Sequence, residues 1–117
     1  MHDFKNLKVW QKAMDIAQAT YELCAQFPDA ERYGLISQMR RAAISIPSNI
    51  AEGAGRNSNG EFRQFLGIAV GSAYELETQF LLAGRLLYLN EAEVEPITAQ
   101  LVELQKMLYG LKNSLRP

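Results

Sequence analysis

The side chains able to do acid–base, nucleophilic or metal chemistry are few in this sequence, and they are scattered. His2 is the only histidine and Cys24 the only cysteine. His2 lies near a terminus, where order is weakest, so histidine catalysis or a histidine metal cluster lacks its usual component. Cys24 falls on an apolar helical face with nothing nearby in sequence to lower its pKa, the setting of a small hydrophobe. Glu75 and Glu77 stand two apart and diverge on a helix, and the Glu-x-x-His pairs of bundle di-metal centres are absent. The glycines at 53, 55, 60, 67 and 71 have neither the lysine of a P-loop nor the strand that precedes a dinucleotide fingerprint. No catalytic, cofactor-binding or metal-binding residue is expected, and the chain reads as a non-enzyme.

The polar residues that do show a pattern lie between Gln38 and Arg56. Ile36, Met39, Ala43, Ile46 and Ile50 trace one apolar helical face, while Gln38, Arg41, Ser45, Asn49 and Glu52 form a polar stripe on the other side. Pro47 interrupts the run, where a kink is expected to free the carbonyl of Ala43, and Gly53 and Gly55 look like helix-ending residues. The stripe reads as a polar network of Arg40, Arg41, Asn49, Glu52 and Glu77 that fixes register between helices or subunits, with Glu52 and Glu77 meeting Arg40 or Arg41. A solvated outer face is the alternative. Arg40, Arg41, Arg56 and Arg63 are the one locally basic region and the candidate nucleic-acid contact. Glu52 and Glu61 offset it, and the aromatics Phe62 and Phe65 fall on the expected core face instead of beside the arginines.

Four helices must position these residues. A first segment, about 6–26, has one apolar face of Trp10, Met14, Ala17, Tyr21 and Cys24 and an adjacent one of Val9, Ile16, Thr20, Leu23 and Phe27, wider than one bundle seam requires. Pro28 ends it, and a second helix runs over about 31–54. Ser58 and Glu61 have capping-box spacing before a third helix, about 59–89, with a sustained seam from Phe62 to Leu87. Its Gly67 and Gly71, with Ala69 and Ala73, read as an allowance for close helix approach. Asn90 and Glu93 repeat the cap before a fourth helix, about 91–114, whose regular start Pro96 is expected to delay by a turn. Short connections make successive helices antiparallel, so the expected fold is all-α: an up-down-up-down four-helix bundle, residues 1–117 forming a single domain.

With 12 Lys and Arg against 13 Asp and Glu, the net charge of -1 supplies no global attraction to nucleic acid or an anionic membrane. No stretch reaches the roughly 20 apolar residues needed to span a bilayer, and the charged N-terminal segment is unlike a signal peptide. A soluble, cytoplasmic protein without disulfides is expected.

Three blocks carry a family resemblance: Phe4-Lys5-x-Leu7-x-Val9-Trp10, the run from Gln38 to Gly53 containing Ser45-Ile46-Pro47-Ser48-Asn49, and Ala73-x-Glu75-Leu76-Glu77-Thr78. In order and over nearly the whole chain, they resemble the bacterial four-helix-bundle proteins associated with 23S ribosomal RNA intervening sequences. The resemblance implies a homopentamer with no known enzymatic activity. A related group, the accessory proteins of diversity-generating retroelements, is pentameric and works on nucleic acid through a strongly basic surface, which a chain of net charge -1 does not share. The expected function is a non-enzymatic oligomeric scaffold or adaptor that binds an unidentified protein partner. Subunit contacts are expected around Val9, Ile16, Leu23 and Phe27 and on the small-residue surface of the third helix. The alternative is an RNA-binding accessory module built on the repeated arginines.

Overall fold

Four helices account for most of the chain in the computed structural model, which describes residues 2–116: α1 (Lys8–Cys24), α2 (Leu35–Ala54), α3 (Asn59–Arg85) and α4 (Glu91–Ser114). Met1 and Pro117, the two ends of the expected domain, lie outside the described residues. Single 3₁₀ turns at Phe4–Asn6 and Asp29–Glu31 precede α1 and α2. Each helix packs on its sequence neighbour and α1 closes on α4, while the diagonal pairs α1–α3 and α2–α4 stay apart. This is the expected up-down bundle, 45 × 24 × 20 Å.

Helix boundaries follow local chemistry. Ser58 Oγ accepts from the Glu61 amide at 3.1 Å, one half of the expected capping box; at Asn90 and Glu93 both halves form, at 2.9 and 3.0 Å. Pro96 does not delay α4, which starts at Glu91 directly after its cap. A proline in the second turn removes one backbone bond, and the helix tolerates that loss. Helix α2 starts at Leu35 instead of 31, because residues 29–31 form a 3₁₀ turn whose Glu31 carboxylate accepts from the Leu35 amide at 3.3 Å. Helix α3 ends at Arg85, four residues early. Leu87 takes φ 62°, and the Tyr88 amide reaches back to the Ala83 carbonyl at 3.0 Å, a Schellman closure of the kind glycine usually makes.

The core is one continuous apolar cluster with contributions from all four helices. Phe62, Leu66, Leu76 and Phe80 of α3, Ile46 and Ile50 of α2, and Leu101, Leu104 and Leu108 of α4 are essentially sealed. Each such side chain contributes roughly 1.5–3 kcal/mol of transfer free energy. Helix α2 runs unbroken through Pro47. Gly53 lies inside α2 and does not end it. A Cβ there would stand 2.7 Å from Phe65 Cβ and 2.9 Å from Phe62 Cδ1, so the missing side chain is what lets α2 and α3 meet. The N-terminus is tied down: the His2 amide donates to the Ala54 carbonyl at 2.8 Å and its ring lies 5.0 Å from that of Phe62.

Candidate assembly surface

Along the α2–α3 seam the polar stripe is sewn at its middle and open at its ends. Ser45 Oγ and Ser72 Oγ are 2.8 Å apart, and Asn49 Nδ2 donates to Ser45 Oγ at 3.0 Å and to the Ser45 carbonyl at 2.7 Å. These half-buried groups join α2 to α3 as a register device between helices. Gln38 and Arg41 lie exposed beside this triad in a polar cleft of about 400 Å³ that Ser72 and Glu75 complete.

Within the protomer the charged members do not pair with one another. Glu52 holds Arg56 Nη2 at 2.9 Å, one turn along the helix, and Glu77 accepts from Gln105 Nε2 at 2.8 Å across to α4. Neither carboxylate meets Arg40 or Arg41, because Arg40 turns toward α1, with its guanidinium carbon 4.9 Å from the Tyr21 ring centre. Its Nε is buried without an acceptor among the described residues.

The four arginines are not one patch. Arg40 and Arg56 are separated by sixteen positions, about 24 Å along a helix axis. Arg56 is held by Glu52 and, at 4.0 Å, Glu61, and it stacks 4.8 Å from the Phe65 ring centre. Arg63 Nη1 donates to the carbonyls of Lys112 at 2.6 Å and Leu115 at 3.3 Å, a side-chain cap on the end of α4. The partner carbonyls lie about fifty residues away, so no local pattern could reveal that role.

The wide apolar arc of α1 resolves into an inner and an outer face. Val9, Ala13, Ile16, Thr20, Cys24 and Phe27 point inward, so the subunit contact expected on Val9, Ile16 and Phe27 is core instead. The surplus is the other face: Trp10, Met14 and Tyr21 line a groove of about 500 Å³ with Ile44, Pro47 and Ala51 of α2. Met14, Tyr21 and Ile44 are each at least 40% exposed. The expected small-residue surface of α3 divides in the same way. Ala69 and Ala73 are buried in the core and Gly67 lies under Lys112, whereas Gly71 faces open space.

Burial raises the Cys24 thiol to about 11, with Arg40 partly opposing, so it stays protonated at neutral pH. At the loop end, Tyr88 donates to Glu31 at 2.8 Å, which holds the phenol above its ordinary range. Among the described residues no group of three potential metal ligands forms, and no helix is long and apolar enough to cross a membrane.

The helices and their packing define an all-α up-down four-helix bundle. The chain belongs to the 23S rRNA-intervening sequence protein family, which it matches over residues 5–110. It is similar to a solved structure, a protein with unknown function from the S23 ribosomal protein family of Bacteroides thetaiotaomicron VPI-5482. That similarity is 25% in sequence with a TM-score of 0.80, covering 89% of this chain and 97% of that one. No curated protein matches the chain.

Proposed function

We propose that the protein is a non-enzymatic cytoplasmic scaffold or adaptor that assembles into a homo-oligomeric ring, pentameric as the family resemblance implies. One observation carries the reading: the protomer leaves two separate apolar surfaces without a partner. One is the α1–α2 groove with Met14, Tyr21 and Ile44. The other is the outer side of α3, with Ile68 51% exposed and Leu81 and Leu82 at 50% and 44%. Surfaces of this kind mark contact sites, and two unlike patches on one chain favour head-to-tail association, which gives a ring when the rotation between copies closes and a filament when it does not.

Native mass spectrometry at micromolar concentration tests it. A closed oligomer of five chains is expected; a stable monomer removes the reading, and a two-fold dimer removes the ring. The RNA-binding alternative has less support, since Arg56 and Arg63 are engaged within the protomer and Arg40 and Arg41 lie far from them.

A further inference from the structure

At the loop end, a small cavity of about 160 Å³ opens between the end of α1, the 3₁₀ turn at Asp29–Glu31 and the start of α2. It shares no lining residue with the apolar α1–α2 groove or with the polar cleft beside Ser45. Cys24, Phe27 and Ile36 give it a buried wall, and Asp29, Arg32 and Arg40 bring charge to it. Local contacts hold the turn that forms it. The Tyr88 ring lies 5.3 Å from that of Phe27, and the Glu31 carboxylate takes the Leu35 amide and the Tyr88 hydroxyl at 3.3 and 2.8 Å.

Two guanidinium groups line this space, and neither makes an ion pair among the described residues. Asp29 and Arg32 stand three apart on the 3₁₀ turn, where such positions share a side, yet they do not close on each other. Arg40 is the more confined of the two arginines. It is half-buried, its guanidinium carbon lies 4.9 Å from the Tyr21 ring centre, and its Nε is buried without an acceptor. A cation partly removed from water without a counter-charge gives up hydration that nothing in the protomer replaces. Its field reaches the cavity wall, since Arg40 pulls against the upward push of burial on the Cys24 thiol. That thiol is protonated at neutral pH, so it brings no negative charge of its own.

We propose that this cavity binds a compact oxyanion, the phosphate or carboxylate group of a small molecule, between the guanidinium groups of Arg32 and Arg40. The planar fork of an arginine meets such a group with paired N–H donors. The anion supplies Arg40 with the counter-charge that the protomer lacks, and it does so through the Nη edge, because the buried Nε leaves no room for a ligand atom. At roughly 30 Å³ for each water in the liquid, the cavity offers about five waters' worth of space, enough for the anionic group and too little for a nucleotide. Asp29 lines the same space with a negative charge, so singly charged anions are favoured over doubly charged ones. The site lies within one protomer and does not depend on the ring.

Calorimetric titration of the full chain tests it, with sodium phosphate and, separately, sodium acetate at fixed ionic strength. Saturable binding of either anion in the millimolar range or tighter is expected, and the tighter of the two names the source, phosphate or carboxylate. Arg40→Gln and Arg32→Gln should each weaken binding about tenfold or more, the loss expected when a hydrogen bond to a charged group goes. Asp29→Asn should tighten it severalfold, and more for phosphate, which is partly doubly charged at neutral pH. Arg56→Gln, at the other end of α2, should leave it unchanged. Arg32 is exposed on a turn, so its variant decides the matter even where circular dichroism shows that Arg40→Gln disturbs the fold. Saturable binding of neither anion, unchanged binding in a folded variant of either arginine, or weaker binding in Asp29→Asn overturns the site.

Discussion

Gly53 and Gly71 are both helical glycines with ordinary negative φ, so neither is needed for its backbone conformation. They differ in what a side chain would meet: Phe62 and Phe65 at Gly53, and open space at Gly71. A glycine inside a helix costs up to about 1 kcal/mol relative to alanine. At Gly53 the cost is offset by contact between α2 and α3, in the seam that also carries Ser45, Asn49 and Ser72. At Gly71 nothing within the protomer offsets it. The seam is a packed interface and the outer face of α3 is exposed, although the helical period looks the same in both.

Gly53→Ala is the strongest way to break this contrast. Contacts of 2.7 and 2.9 Å against Cβ and ring carbons leave little room to yield, so overpacking should outweigh the gain in helix propensity and cost about 1–2 kcal/mol net. Chemical denaturation measures it, and a neutral or stabilising result would show that the seam is loose. Ser45→Ala comes next. It leaves Ser72 without its hydroxyl partner and removes one acceptor from Asn49, for a loss of about 1 kcal/mol. Ser72→Ala should cost a similar amount and the double variant less than the sum, the mark of a coupled pair.

The outer face should respond with the opposite sign. Gly71→Ala should raise the stability of the dissociated protomer by as much as about 1 kcal/mol, because only helix propensity changes. Under the proposed assembly through the outer side of α3, sedimentation should show weaker association, since a methyl group then stands in that contact. If association is unchanged, the outer stripe of α3 is not a contact and Gly71 has no packing role in this protein.

Helix existence and order were legible in the sequence because the apolar period is sustained and the caps at Ser58 and Asn90 are local. Orientation was less so. Both faces of α1 are apolar, and only the positions of α2 and α4 decide that Ile16 is sealed while Met14 is 44% exposed. The end of α3 was misplaced because Leu87 adopts a left-handed conformation without the glycine that usually signals one. Gly53 looked like a stop signal, since its reason is Phe65 on another helix. In the polar stripe the types and spacing were visible, but pairing depends on distant partners: Arg63 with the end of α4, Glu77 with Gln105.

Glu52 gives the smallest effect and the sharpest test of the difference between a seam and a surface. Its partner Arg56 is 41% exposed and Glu52 itself 57%, so solvent screens the pair despite the 2.9 Å contact. Arg56 also keeps Glu61 at 4.0 Å and the Phe65 ring when Glu52 is truncated. Glu52→Ala should therefore change protomer stability by no more than about 0.5 kcal/mol, and that small change should shrink further in high salt. A loss of about 3–5 kcal/mol would require Glu52 to be buried and paired, with the guanidinium left uncompensated on its removal. Since the protomer exposes Glu52, such a loss would move the polar end of α2 from the solvated surface into a contact between copies.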